Sequence, residues 1–154
     1  MKQSAGILPY KVTNGIPMFF IVHPGGPYWI SKDSGAWSVA KGEIENEDPL
    51  DAAIREFREE TGQTAQGSFI ALSAVRQKSG KNIWVWATEM EFDAASITCN
   101  TFSIEWPPRS GTMQSFPEID RAGWFTAEQA KTKLNPAQAP LIDELVSKLG
   151  LGES

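Results

Sequence analysis

The sequence predicts an α/β domain: a mixed β-sheet with helices packed against it as an α/β/α sandwich. Three observations carry this expectation. Apolar runs of strand length recur along the chain, bounded by Gly, Pro and Asn. A capped amphipathic helix interrupts them after residue 48, and a second helical stretch closes the sequence. A length of 154 residues suits one domain, residues 1–154, with enough chain to bury a core.

Taken in order, Ala5 to Tyr10 and Met18 to His23 read as strands around a turn at Asn14-Gly15-Ile16-Pro17. Asn-Gly supplies the positive φ angles of a tight hairpin. Pro24-Gly25-Gly26-Pro27-Tyr28-Trp29 follows, a Gly/Pro-rich loop longer than a hairpin needs. Asp48-Pro49 opens a helix, with Asp48 as the capping residue and Pro49 where a missing N–H costs nothing. Leu50, Ala53, Ile54, Phe57 and Thr61 recur at helical spacing as its buried face, and Gly62 ends it. Phe69 to Val75, Asn82 to Glu91 and Ser96 to Ile104 read as strands. Ile83-Trp84-Val85-Trp86-Ala87 is apolar on both faces, so it is expected to be buried on both sides. Arg121 to Phe125 is the last strand, and Thr126-Ala127-Glu128-Gln129 has capping-box spacing. Pro136 interrupts the helix that starts there, and Pro140 to Leu149 is a terminal amphipathic helix.

Charge narrows the function classes. The formal net charge of −5 repels a nucleic-acid backbone, which is gripped by clustered Lys and Arg, so no nucleic-acid polymer is expected as partner. A small phosphorylated ligand stays open if a divalent cation bridges it to carboxylates. Cys99 is the sole cysteine, which excludes an internal disulfide and fits a reducing compartment. The opening Met1-Lys2-Gln3-Ser4-Ala5-Gly6 lacks the apolar run of a signal peptide, and no stretch reaches membrane-spanning length. The expected location is cytoplasmic, with no membrane partner.

The residues that suggest chemistry lie in the first helix: Arg55-Glu56-Phe57-Arg58-Glu59-Glu60. Residues three and four apart share a helix face, so Glu56, Glu59 and Glu60 form one acidic patch. The like-charged pair Glu56 and Glu60 costs a few tenths of a kcal/mol, roughly, on an exposed helix. Mg²⁺ takes oxygen ligands and bridges carboxylate to phosphate, so the patch suits a hard cation. Alone, the hexapeptide reads better as a solvated acidic face, partly paired by Arg55 with Glu59.

The flanks change that reading. Gly42, Glu47 and then Arg55-Glu56-Phe57-Arg58-Glu59-Glu60-Thr61-Gly62 resemble the Nudix hydrolase family, whose box runs G-x5-E-x7-R-E-U-x-E-E-x-G-U. From Arg55 to Gly62 every defined position matches. Two positions depart: four residues, not five, separate Gly42 from Glu47, and the final apolar position is Gln63. Ser4-Ala5-Gly6-Ile7-Leu8, Trp37-Ser38-Val39-Ala40-Lys41-Gly42-Glu43 and Asp120-Arg121-Ala122-Gly123-Trp124-Phe125 look like the family's first strand, box approach and late strand. Ala40 stands where the approach usually has Pro. The resemblance is to MutT-like pyrophosphohydrolases, closest to a bacterial branch carrying Val22-His23-Pro24-Gly25-Gly26-Pro27 and Glu105-Trp106-Pro107-Pro108-Arg109-Ser110-Gly111.

The resemblance implies an α/β/α Nudix sandwich and a metal-dependent hydrolysis of a phosphoanhydride. Glu56, Glu59 and Glu60 would hold Mg²⁺ or Mn²⁺, with a backbone carbonyl near Lys41-Gly42 completing the shell. Arg55 is read as orienting a box glutamate. A further carboxylate, as ligand or general base, often comes from a later loop; Glu105 is preferred over Glu118 because Trp106-Pro107-Pro108 would brace it. His23 beside the Gly-rich loop, Gly42 and Arg109 are candidate substrate contacts, and Tyr28, Trp29 and Trp106 could sandwich a base. Lys41, Arg76 and Lys78 are further candidates for phosphate.

Two function classes stay open. The first is an enzyme acting on a nucleoside diphosphate linked to another group: a nucleoside triphosphate, a dinucleoside polyphosphate or a nucleotide sugar. The second is a non-catalytic Nudix-fold sensor of nucleotides, against which the full set of carboxylates argues. The resemblance also makes a homodimer an expectation.

Overall fold

A computed structural model of the chain describes residues 3–77 and 80–151. Strands β1 (Ser4–Thr13) and β2 (Ile16–Pro24) form the expected hairpin, with Asn14 and Gly15 at φ 53° and 78°. Their ladder covers only Tyr10–Thr13 against Ile16–Phe19. The first half of β1 is instead flanked by β3 (Ala40–Glu43), antiparallel, and by β6 (Asn82–Glu89), parallel. On its other edge β2 pairs with β9 (Ile119–Thr126). Two-residue strands β4 (Ile70–Ala71) and β5 (Val75–Arg76) pair with β6 and finish the mixed sheet. Between β6 and β9, a short 3-10 turn (Ala94–Ser96) leads to a separate hairpin of β7 (Thr101–Glu105) and β8 (Met113–Pro117).

Helix α1 (Pro49–Thr61) covers one face of the sheet; α2 (Ala127–Lys133) and α3 (Pro140–Lys148) cover the other. The period-2 alternation of β2 makes the two cores explicit. Phe19 and Ile21 pack with Leu134, Leu141 and Leu145, whereas Phe20 and Val22 pack with Ala52, Ala53 and Phe57. The α/β class with a mixed sheet is thus what the chain adopts.

Helix boundaries agree closely with the sequence reading. Gly62 caps α1 at φ 78°, its N–H donating to the Arg58 carbonyl, and Thr126 with Gln129 forms the full capping box of α2. Asp48 holds the N-cap position of α1, but its side chain makes no capping bond.

Strand limits depart further from those expected. Phe69 to Val75 pairs only at its ends, and Ser96 to Ile104 begins as a turn and becomes a strand only from Thr101. β3 and β8 were not expected, since Ala40–Glu43 and Met113–Pro117 lack the apolar alternation that marks strands. β3 forms because β2 leaves β1 after four paired positions, exposing an edge that a short segment can complete. β6 is not buried on both sides. Ile83, Val85 and Ala87 face the α2–α3 core, while Trp84 stays exposed and Trp86 only packs on the margin of the other core. α1 lies over β1 and β3 and leaves Trp84 uncovered, its indole N–H donating to Gln3.

Candidate active site

On the helix face predicted from spacing, Arg55 ties Glu56 and Glu59 to Glu47. Its Nε donates to both Glu47 oxygens at 3.1 Å, and its Nη2 donates to Glu47 Oε1 at 2.6 Å. Nη1 reaches Glu56 Oε1 at 2.8 Å and Glu59 Oε2 at 3.1 Å, and Nη2 also donates to the Glu43 carbonyl at 3.1 Å. A planar guanidinium can hold several acceptors at once in fixed directions, which a lysine cannot. The short Gly42-to-Glu47 connection still delivers Glu47 to this fork. Asn46 turns the chain with φ 43°, a region Asn tolerates.

Gly42 is needed for the approach of Glu56. A Cβ built there would lie 1.9 Å from Glu56 Oε2, so only a glycine lets that carboxylate pack on β3. Burial raises the Glu56 carboxyl above its ordinary range, opposed by Arg55. Glu60 is further displaced, pushed up to about 8 by burial and then by repulsion from Glu56. The Lys41 side chain, the Lys41 backbone N–H and the Glu118 charge all act on Glu60 as well, the first two stabilising its ionised form. Lys41 itself is lowered by burial, with Glu60 and Glu56 opposing.

Glu56 and Glu60, with Lys41 beside them, therefore make a half-buried anionic site of hard oxygen donors. Among the described residues no three acidic, His or Cys side chains close on one point as a ready-made cage. Mg²⁺ does not ask for one, since it keeps several waters and binds through one or two carboxylates plus substrate phosphate. Two carboxylates whose charged forms are disfavoured by burial and mutual repulsion fit such a cation.

A cleft of about 620 Å³ opens beside this site, with Lys41 on its lining. Trp29, Trp37, Ser38, Pro136 and Gln138 also line it. Sequence reasoning missed Trp37, Ser38 and Gln138. The Asn135-Pro136 break between the last helices was their only signal, because the turn meets Ser38 only in the folded chain.

Other candidates sit elsewhere or do other work. Glu105 is occupied by its own loop, accepting from the N–H groups of Arg109 and Gly111 at 3.0 and 3.1 Å. Both oxygens of the preferred Glu105 are therefore engaged within its own loop. Glu118 is exposed and lies close enough for its charge to act on Glu60. Its backbone is fixed on both sides, the N–H donating to Asn100 and the carbonyl accepting from Gly25. That last bond is the use of the Gly-rich loop, since a Cβ at Gly25 would strike the Pro117 carbonyl.

His23 is not a substrate contact. It is fully buried, with Nδ1 2.6 Å from Asp120 Oδ1 and Nε2 2.6 Å from the Lys32 carbonyl. Tyr28 and Trp106 pack on each other edge to face at 5.2 Å, and neither lines the cleft; only Trp29 does. Arg109 sits in the β7–β8 loop with φ 62°, and it too is absent from the cleft lining. Arg76 is exposed at the end of β5, and Lys78 lies outside the described residues.

The family model for the NUDIX domain matches residues 16–145, which include the box and the residues lining the cleft. The chain belongs to the NUDIX family. No curated protein matches the chain. Among solved structures this NUDIX domain is similar to an Ap4A hydrolase of C. elegans, with TM-score 0.68 at 17% identity over 96% of this chain and 98% of that one. It is similar to the NUDIX domain of Shewanella oneidensis NrtR, crystallised with ADP-ribose (TM-score 0.64, 14% identity, 96% and 87% covered). The ORF135 protein of E. coli matches at TM-score 0.54 and 26% identity, covering 96% and 91%. The first two likenesses establish the fold. Membership of the family supports a pyrophosphohydrolase type of function.

Proposed function

We propose that this NUDIX domain is a divalent-cation-dependent pyrophosphohydrolase that cleaves a phosphoanhydride in a nucleoside diphosphate linked to another group. The observation that carries it is the pairing of Glu56 and Glu60 beside Lys41, which lines an open cleft. The proteins it resembles point the same way: one is titled an Ap4A hydrolase, and another is complexed with ADP-ribose. Both compounds carry adenosine on a chain of phosphates.

Glu56 and Glu60 would hold Mg²⁺ or Mn²⁺, with water and substrate phosphate filling the rest of its shell. The ion supplies charge neutralisation for the diphosphate and a lowered pKa for water. The reaction adds water across a P–O–P linkage, breaking one P–O bond and passing one proton to a base. Glu118 is the side chain we assign that proton, because its backbone is pinned at the edge of the site and its carboxylate is exposed. Lys41 places an ammonium where the phosphate chain meets the carboxylates, and Gly42 leaves the room Glu56 needs. Arg55 acts as a positioning residue, since its donors are committed to Glu47, Glu56, Glu59 and the Glu43 carbonyl. Positioning and electrostatics supply most of the rate in such a displacement.

The test is incubation with panels of nucleoside triphosphates, dinucleoside polyphosphates, ADP-ribose and nucleotide sugars, with Mg²⁺ and a phosphate readout. Turnover of at least one class that Glu60→Gln abolishes supports the reading. Tight binding with no turnover across the panel would identify a sensor instead.

A further inference from the structure

We propose that Gln138 is a positioning residue of the hydrolase, holding the backbone at Ser38 and Val39 so that β3 presents Lys41 to the phosphate chain. This rests on the pyrophosphohydrolase reading and adds to it a residue that acts through another.

Val39 is a crossing point in the backbone. Ser38 exchanges two hydrogen bonds with Val22 of β2, both at 2.9 Å, whereas Ala40 pairs with Ile7 of β1. Val39 therefore stands where the segment passes from one strand to the other. Side chains take both of its backbone groups: Gln138 Oε1 accepts from its N–H at 2.9 Å, and Ser38 Oγ donates to its carbonyl at 2.8 Å. Gln138 Nε2 donates in turn to Ser38 Oγ at 3.1 Å, which closes the ring. β3 begins one residue later, with Lys41 its second residue, so the crossing sets where that side chain leaves the sheet. Lys41 and Gly42 point to opposite faces of the strand, and Glu56 packs against the Gly42 position. A shift at Val39 is passed to both.

The turn that carries Gln138 is itself fixed. Its N–H donates to the Asn135 carbonyl at 2.8 Å, and Asn135 Oδ1 accepts from the Ala137 N–H at 2.9 Å. Three backbone bonds lace this end of α2 to the residues before Ser38. The Gly35 N–H donates to the Thr132 carbonyl at 3.1 Å, the Trp37 N–H to the Lys133 carbonyl at 2.9 Å, and the Asn135 N–H to the Trp37 carbonyl at 2.8 Å. The amide is thereby delivered to one place. Packing alone would not choose glutamine there. The residue is 1% exposed, and burying an amide costs free energy unless its ends are bonded. An apolar side chain of similar size would fill the space without that cost. Both ends of the amide are spent on residues two and three positions before Lys41, so it answers a demand of that backbone.

The experiment uses the full chain with Mg²⁺ and, from the panel of nucleoside triphosphates, dinucleoside polyphosphates, ADP-ribose and nucleotide sugars, the compound that wild type turns over fastest. Gln138→Met keeps the side-chain volume and loses both bonds. Its kcat/KM should fall about tenfold or more, the scale of a small misplacement of a group that binds substrate. In a Lys41→Ala background the same substitution should cost little, because the group it positions is gone. Amide hydrogen exchange of the metal-free protein should quicken at Val39 and Lys41 but not at Asn135. Should Gln138→Met fail to fold, Ser38→Ala breaks the same ring and takes its place in the cycle. Equal losses in both backgrounds, or a lower melting temperature with unchanged kcat/KM, overturns the positioning role and leaves the hydrolase reading standing. If wild type turns over nothing in the panel, the hydrolase reading falls and the positioning role with it.

Discussion

Arg55 grips Glu47 with two nitrogens across a loop one residue shorter than the family box, Nη2 lying 2.6 Å from Oε1 and Nε 3.1 Å from both oxygens. The same guanidinium aims Glu56 and Glu59. Arg55→Lys keeps a positive charge but loses the fork, so Mg²⁺ affinity should fall by about tenfold or more, as when a partner of a metal-ligating group is removed. Mg²⁺ titration followed by calorimetry checks it, and unchanged affinity would show that Glu56 is held without the fork.

Glu60 gives a pH dependence with a definite sign. Its carboxyl rises from about 4.5 in the unfolded chain to about 8 in the folded one. The folded state thus binds this proton more tightly, so the stability it contributes is complete below about 4.5 and is lost as pH rises through 8. Metal-free wild type should melt progressively lower between these limits, and Glu60→Gln should flatten that slope. Saturating Mg²⁺ should reverse the order, since wild type gains stability from a ligand the variant holds poorly. Turnover of Glu60→Gln should drop about a hundredfold or more. Melting curves across pH, with and without Mg²⁺, decide the point; identical curves for both proteins would remove Glu60 from the site.

Glu118→Gln and Glu105→Gln separate chemistry from loop structure. Glu118→Gln should lower kcat by about a hundredfold, the scale of a lost general base, with KM little changed. Glu105→Gln should leave kcat nearly intact, because its carboxylate serves the Arg109 and Gly111 N–H groups. The reverse pattern in steady-state kinetics would return the base to Glu105.

Gly42→Ala places a methyl where Glu56 Oε2 now packs. The carboxylate must swing away, so Mg²⁺ affinity and kcat should both fall at least about tenfold. An unaltered Mg²⁺ titration would mean that Glu56 binds from another rotamer.

His23→Ala should destabilise the fold by about 2 kcal/mol or more, because it removes the 2.6 Å hydrogen bond to Asp120 and opens a cavity. For a domain this size that is a melting decrease of roughly 4 °C or more. The KM of the folded variant should stay near that of wild type. A large KM change without loss of stability would restore His23 as a substrate contact.

What the sequence determined by itself was local. Apolar spacing at Ala53, Phe57 and Thr61, with Pro49 and Gly62 as boundaries, defines α1 to the residue, because helices are built from contacts three and four residues apart. The same spacing places Glu56, Glu59 and Glu60 on one face, and Asn14-Gly15 announces its own turn. What only the tertiary structure decided was every relationship across the sheet. β3 became a strand because β1 had an open edge, Gly25 fixed the backbone of Glu118, and His23 was withdrawn into the core by Asp120 and the Lys32 carbonyl. The cleft needs Trp29 and Gln138, more than a hundred positions apart. No local propensity encodes such a meeting; it follows from the order in which strands pair and helices close over them.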